Sequence, residues 1–379
     1  MKVCHVGPFK IGTSNGSYNA LWSLACAQAE KGDEVTIIRV GKPVEIEQSK
    51  LAEQKGIKLL GFPCSQWSGF WKDDSGLFLQ YMLDLKPDIV HLQYVRVPKY
   101  YSIANILDSI NIPFVISLHG GVNSTEMTRK KYRKLIYWYS IEKKVHGLAS
   151  GIHFITKTEM LDYYNTIGNK KLHDKVIPNA VEIIPNATCW HGISNYTSPK
   201  ISYFGRYDIW HKGIDLIFKM IRHLHDKGVY AELHLYGLPG DKYANSFRDL
   251  KSDYEDLPIY DHGFVEGLNK FNKMADSDFY IQYSRFELFG MSLVEAMGLG
   301  VPVIISDHCD LAALLEPSNC AVQIPMEPNA AAETIVNLLS NRDYISDISK
   351  NGKNWALTQC APQRVAEKMA NFYQQVLNG

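Results

Sequence analysis

Short, unbroken apolar runs rich in β-branched residues recur along this chain, with helical stretches between them. Such a run does not alternate polar and apolar positions, so neither of its faces is suited to water. It belongs to a strand buried on both sides, which means a parallel sheet covered by helices above and below. In the first half, Lys2–Val6, Glu34–Val40, Asp88–Leu92, Pro113–Leu118, Gly151–Thr156 and Lys175–Pro178 read this way. A turn rich in Gly, Ser and Asn (Gly12 to Ser17) follows the first of them. Helical periodicity then runs over Tyr18–Lys31 and stops at Gly32. The pattern restarts at Ile201–Phe204 and continues through Glu232–Tyr236, Ile259–Gly263, Phe279–Tyr283, Val301–Ser306 and Ala321–Ile324. Residues 186–199, between the halves, are polar, turn-rich and aperiodic, which marks a linker. The tail, Pro362–Leu377, carries Val365, Met369, Phe372 and Val376 as an apolar stripe at helical spacing. The expectation is two doubly wound α/β domains, residues 1–185 and 200–361, with a ligand in the cleft between them at the carboxyl ends of the strands.

Composition narrows the function. At about 150 residues per domain, 379 residues make two or three domains. Forty basic residues balance forty acidic ones, so the broad positive field of a nucleic-acid binder is missing and no such partner is expected. A hydrophobic content of 46% excludes wholesale disorder. Seven widely spaced cysteines include no Cys-x-x-Cys pair, which argues against structural zinc and a disulfide scaffold and for a reducing compartment. The opening Met-Lys-Val-Cys-His-Val-Gly reads as a buried strand rather than a signal peptide. No apolar run approaches the ~20 residues of a membrane span. A cytoplasmic protein is expected, in which the Asn-x-Ser/Thr triplets at Asn123, Asn186 and Asn195 carry no meaning.

Two segments carry chemistry. In Ser284-Arg-Phe-Glu287-Leu-Phe-Gly290-Met-Ser-Leu-Val-Glu295, a strand ends near Tyr283 and a helix begins near Phe289 or Gly290. The N-terminus of that helix offers free backbone N–H groups and a partial positive charge, a seat for a diphosphate. Glu295 lies inside an otherwise apolar helix, where a carboxylate is costly unless something hydrogen-bonds to it. A ribose diol would serve, and so would a nearby Arg or Lys; both readings stand. In Phe204-Gly205-Arg206-Tyr-Asp-Ile-Trp-His-Lys212-Gly213, a loop after a strand carries two cations six residues apart. They suit a pyrophosphate that gains charge as it leaves, and they also read as ordinary solvated loop cations. His119 ends the strand Pro113–Leu118 and precedes two glycines. A lone His there is often a structural hydrogen-bonder, but a carboxyl strand end followed by glycines favours function. His91 is read at the equivalent end of another strand and ranks second.

Together these segments resemble glycosyltransferase family 4, a large retaining family with the GT-B fold, in which two Rossmann-like domains face each other across a cleft. The resemblance covers essentially the whole chain in order. Lys86-Pro-Asp-Ile-Val-His91, Val176-Ile-Pro-Asn179-Ala-Val-Glu182 and His262-Gly263-Phe264-Val265 match further family segments. It implies that Glu295 holds the ribose and that Glu287 contacts the donor sugar. It places the backbone of Phe289, Gly290, Met291 and Ser292 near sugar and phosphate, and that of Phe264 and Val265 against the base. Arg206 and Lys212 would grip the diphosphate and steady the leaving group. His119 would sit near the donor sugar, and Gly16 would let the backbone approach the phosphate. At that last position the chain departs from the common Gly-Gly pair, reading Asn15-Gly16-Ser17. The final helix, residues 362–379, would cross back to the N-terminal domain, and domain closure would complete the site.

No Asp-x-Asp stands after a strand; Asp73-Asp74 and Asp307-x-x-Asp310 do not fit that motif. No metal or other cofactor is therefore expected, and Arg206, Lys212 and helix dipoles would neutralise the leaving group. The implied reaction moves a hexose-type sugar, with retention, from a nucleotide-diphosphate donor to a glycan or lipid-linked acceptor in surface polysaccharide or glycolipid synthesis. Residues 129–144, basic and aromatic, read either as a contact with an anionic membrane or as an amphipathic helix on the sheet, with Leu135, Trp138, Tyr139 and Ile141 set apart from the cations. Trp67, Phe70 and Trp71 line the acceptor side or anchor the core. Two rivals remain: a nucleotide-sugar epimerase on the same fold, and a catalytically degenerate scaffold of a glycan-assembly complex. A dehydrogenase fits poorly, because Gly7 to Gly16 lacks the Gly-x-Gly-x-x-Gly spacing.

Overall fold

The structure is a computed structural model, and it describes residues 1–13, 15–63, 76–122, 131–167, 170–171, 173–183 and 189–379. Trp67, Phe70, Trp71, Asp73, Asp74, Asn123, Arg129 and Asn186 lie outside the described residues. The chain divides into two units, Met1–Ala180 with Pro362–Gly379, and Val181–Ala361. Each is a wholly parallel sheet with helices.

The sheet of the first unit holds β1 (Lys2–Gly7), β2 (Glu34–Val40), β3 (Ile57–Phe62), β4 (Ile89–Gln93), β5 (Phe114–Ser117), β6 (Gly151–Phe154) and β7 (Lys175–Val176), in the order β3-β2-β1-β4-β5-β6-β7. The strand order reverses between β1 and β4, the place where doubly wound sheets bind ligands. The apolar runs identify every strand but β3, whose Lys58 and Gly61 interrupt its pattern at the sheet edge. Leu24 and Ala27 of the helix Gly16–Glu30 and Val365, Met369 and Phe372 of the helix Pro362–Leu377 pack together with Val3, Ile89 and Val115. The last helix is therefore part of the first unit.

The second sheet holds β8 (Lys200–Phe204), β9 (Glu232–Tyr236), β10 (Ile259–Asp261), β11 (Phe279–Gln282), β12 (Val303–Ser306) and β13 (Val322–Ile324), ordered β10-β9-β8-β11-β12-β13. Its reversal falls between β8 and β11. Its core is apolar and aromatic, with Ile201, Tyr203, Tyr207, Phe218, Phe279 and Tyr283 among its buried members. From Trp190 onward, the polar stretch before β8 is bonded onto this unit. Trp190 N donates to Leu299 O at 3.0 Å, and the Ser194 and Lys200 amides both donate to the Asp278 carboxylate.

Candidate functional site

The second unit concentrates charge at its reversal point. Gly205 and Arg206 follow β8, and a turn closed by Asp208 carries the chain to Lys212. Asp208 Oδ1 accepts from His211 N at 3.0 Å, and Asp208 O accepts from Lys212 N at 2.9 Å. Gly213 then starts the helix Ile214–Asp226 with φ +65, a left-handed backbone that an L side chain resists. A Cβ at Gly213 would stand 2.0 Å from Tyr283 O, at the end of β11. Only glycine permits that approach, and the approach brings the Lys212 loop to the β11 loop. Arg285 N completes the join by donating to His211 O at 3.1 Å.

Lys212 Nζ meets Glu287 Oε2 here, with both side chains largely buried. The same carboxylate oxygen accepts from Gln282 Nε2 at 3.3 Å. The Glu287 backbone bridges to Cys309, which fixes the loop from the far side. Arg285 is spoken for: its guanidinium holds Asp215 bidentately at 2.7 and 2.8 Å. Arg206 is different. It is 62% exposed, and its only ion-pair contact among the described residues is Asp208 Oδ2 at 4.0 Å. Gly290, at φ +74, caps the helix Met291–Leu299, whose first turn has neither an acidic residue nor a side-chain cap. The Leu293 and Val294 amides already donate to Gly290 O, so the N–H groups offered to an anion are those of Met291 and Ser292.

Glu295 has found a cation. Its Oε2 pairs with Lys270 Nζ, which comes from the helix Gly267–Ala275. The alternative raised by the sequence, a Lys partner for this carboxylate, is therefore present, and one oxygen remains for another donor. Nothing in the sequence links Lys270 to Glu295, 25 residues later in another helix. Phe289 is buried, Met291 and Ser292 are half-buried at the helix start, and Phe264 projects into solvent with Val265 half-buried beside it.

The first unit has a neutral site at its strand ends. His119 follows β5 with φ +48, unusual for a residue with a side chain. Its Nε2 lies 2.8 Å from Gln93 Oε1, its Nδ1 is buried without a partner, and its ring packs 4.6 Å from that of Tyr94. Burial, with the nearby His153, lowers its pKa to about 3, so the ring is neutral. The next amide, Gly120 N, donates to Glu159 Oε1 at 2.6 Å, while Glu159 Oε2 accepts from Ile155 N at 2.7 Å. Gln93, Tyr94 and Glu159 carry no motif and were not legible in the sequence.

Three expectations need correction. His91 does not end a strand; it is fully buried within β4, its ring nitrogens on Tyr373 and Ser117. Gly16 opens its helix, but the Asn15 side chain already accepts from Ser17 N and Tyr18 N, so two of the N–H groups a phosphate would use are taken. In the helical stretch made of Lys131–Tyr137, Trp138–Glu142 and Lys143–Leu148, Trp138 and Ile141 face the core but Tyr139 does not. Tyr139 joins Tyr132 and Ile136 on an outward face, at 68%, 82% and 70% exposure. No helix among the described residues is long and apolar enough to cross a membrane.

A fold of two parallel sheets with the strand orders seen here, and charged loops after β8 and β11, defines a GT-B type protein. Comparison with known proteins agrees. Residues 14–183 match the model of Glycosyltransferase Family 4, and residues 198–341 match that of Glycosyl transferases group 1. The two matches span most of the chain, which belongs to this family of glycosyltransferases. Among solved structures, HepE from Anabaena in complex with UDP and glucose is similar with a TM-score of 0.74 at 16% identity, covering 99% of this chain and 100% of that one. Sucrose-phosphate synthase from Thermosynechococcus elongatus has a TM-score of 0.73 at 16% identity, with full coverage of both chains. WaaG, a glycosyltransferase involved in lipopolysaccharide biosynthesis, has a TM-score of 0.67 at 14% identity, covering 98% and 99%. No curated protein matches the chain by sequence.

Proposed function

We propose that this glycosyltransferase moves a hexose-type sugar, with retention, from a nucleoside-diphosphate donor to a glycan or glycolipid acceptor of the cell surface. The observation that carries the donor half is the convergence, after β8 and β11, of exposed Arg206, Lys212 and an uncapped helix N-terminus. A diphosphate there takes Lys212 from Glu287, and the released carboxylate turns to the sugar hydroxyls. Charge building on the leaving phosphate is met by Arg206, Lys212 and the helix N–H groups, in a chemistry that calls for no metal. Glu295 uses its remaining oxygen on the ribose diol, and the backbone at Phe264 and Val265 faces the base. His119 offers its bare Nδ1 to a hydroxyl of the sugar. The acceptor attacks from the face the phosphate leaves, and that phosphate takes the proton. HepE and WaaG, as proteins of UDP-glucose binding and lipopolysaccharide synthesis, lend the donor and acceptor classes support by likeness of fold.

The outward Tyr132, Ile136 and Tyr139, with Lys143 Nζ 5.7 Å from the Tyr139 ring, favour docking of the first unit on an anionic membrane. Cosedimentation with anionic vesicles that survives replacing all three by Ser would remove that part of the proposal.

The donor site is tested by thermal stabilisation with UDP, GDP and ADP. Saturation at 100 times Kd adds about 2.7 kcal/mol. Glu295→Ala should weaken the nucleotide that binds by about 2 kcal/mol, the scale of charge-assisted hydrogen bonds. Lys270→Met is the control, because it removes the ion pair and leaves the carboxylate. If Glu295 serves only as a partner for Lys270, neither change will affect the nucleotide.

A further inference from the structure

A polar layer crosses the core of the first unit, and its hydrogen bonds have a direction. It can be read from the atoms that can only accept. His153 Nε2 lies 2.7 Å from Ile177 O, and a carbonyl can only accept, so that nitrogen carries the proton and His153 Nδ1 accepts. Ser117 Oγ, at 2.6 Å, must donate to it. The hydroxyl has spent its single hydrogen, so it accepts from His91 Nε2 at 2.6 Å, and His91 Nδ1 accepts from the Tyr373 hydroxyl at 2.7 Å. Tyr373 now has only lone pairs left to offer. That run ends at Tyr373, because Gln28 Nε2 beyond it has no hydrogen-bond partner. A second run starts at the oxygen of the same amide: Gln28 Oε1 can only accept and lies 2.8 Å from His5 Nε2, so His5 Nε2 donates. Burial lowers the His5 pKa to about 4, which keeps the ring neutral. Its Nδ1 therefore accepts from Gln93 Nε2 at 3.1 Å, and Gln93 Oε1 turns to His119 Nε2 at 2.8 Å.

We propose that the one-way run of hydrogen bonds from Gln28 through His5 and Gln93 holds His119 as the Nε2–H tautomer, so that its buried Nδ1 is an acceptor aimed at a substrate hydroxyl, and that Gln93 is the positioning residue that delivers the constraint. The proposal rests on the reading of His119 as a sugar-contacting residue; its chemistry is that of any hydroxyl donor, such as a hexose. Each other ring in the layer is spoken for on both nitrogens, and His119 is where the chain opens. The left-handed backbone of His119, held by Glu159 through Gly120 N, sets the ring at that opening.

The test reads nitrogen protonation directly. In protein labelled with ¹⁵N-histidine at pH 7, long-range ¹H–¹⁵N correlation should show His119 protonated at Nε2 and bare at Nδ1, by about ten to one, the bias one hydrogen bond gives. In Gln93→Leu the ratio should fall to that of an unrestrained imidazole. In Gln93→Glu the tautomer should be kept, because a carboxylate still accepts from Nε2–H, while the protonation midpoint rises by at least about one unit. Gln28→Leu removes the acceptor of His5 Nε2, and should weaken the bias at His119 although Gln93 is untouched. A proton on Nδ1 in the wild type overturns the proposal. An unchanged ratio in Gln93→Leu removes the role of Gln93, and an unchanged ratio in Gln28→Leu removes the run behind it. UDP release from UDP-glucose by His119→Ala, at the wild-type rate, would instead sink the sugar-contacting role and leave the tautomer result standing.

Discussion

The two sheets solve the same problem with opposite chemistry. Each reverses its strand order once, and each gathers its polar side chains at or near that reversal. Around β1 and β4 the groups are neutral: His5, His91, Gln93 and, through the next strands, Ser117 and His153, buried and bonded to one another. Around β8 and β11 they are ions in pairs, Lys212 with Glu287 in the loops and Lys270 with Glu295 between two helices, where solvent still reaches them. Neutral rings can be taken into a core if every nitrogen is matched. Ions cannot be taken so deep without a large desolvation cost, but at a rim they can exchange partners when a ligand arrives. One unit is built to hold a geometry, the other to trade charges.

The largest break in this comparison should come from acid. Burial lowers His5 and His153 to about 4 and His119 to about 3, against about 6.5 in an unfolded chain. Between about pH 6.5 and 4 the unfolded state binds protons that the folded one refuses, so stability falls as pH falls. Each ring accounts for roughly 3 kcal/mol or more of this. Glu159 opposes them. Burial raises it to about 7, above the ~4.3 of an unfolded glutamate, so its contribution of about 3 kcal/mol is present at low pH and lost as pH rises through 7. The rings outnumber it. Hydrogen exchange at pH 5 should therefore show the first unit losing several kcal/mol of protection and the second, whose His211 and His262 are also lowered by burial but are less buried, losing less; equal losses in both would refute the contrast.

Next in size is Gly213→Ala. It forces a Cβ against Tyr283 O at a left-handed φ, and should cost about 3 kcal/mol or more in the second unit, seen as a lower unfolding midpoint in urea. A loss under about 1 kcal/mol would show that the Lys212 loop does not need that close approach. Smallest in stability is Arg206→Ala, since the side chain is exposed and weakly held: a change within about 0.5 kcal/mol is expected. Nucleotide-diphosphate affinity should nonetheless fall at least about tenfold, the loss of one charge-assisted bond. Unchanged affinity by calorimetry would take the diphosphate away from Arg206.

The strands were legible because burial on both faces writes itself as an unbroken apolar run. β3 was not, because an edge strand with Lys58 and Gly61 has no such run. Arg206, Lys212, Glu287 and Glu295 were legible as a spaced set, but their pairing was not. That Lys212 would meet Glu287 depends on Gly213 passing Tyr283, and that Lys270 would reach Glu295 depends on two helices packing. His91 was misplaced by two residues. The error matters, because Gln93, at the strand end, is the residue that reaches His119. The outward face of the helical stretch 131–148 was misread because its middle turn, Trp138–Glu142, is a π-helix, which shifts the phase of any α-helical count.

The helix Pro362–Leu377 lies in the first unit, yet the whole of the second unit is made before it. On the ribosome, residues 1–180 emerge with His91 lacking the Tyr373 hydroxyl and with the sheet face under Met369 and Phe372 bare. At about 5–20 residues per second they wait roughly 10–40 s for their lid. The half that is synthesised first is thus finished last, and the apolar face it shows meanwhile is a natural place for a chaperone to hold.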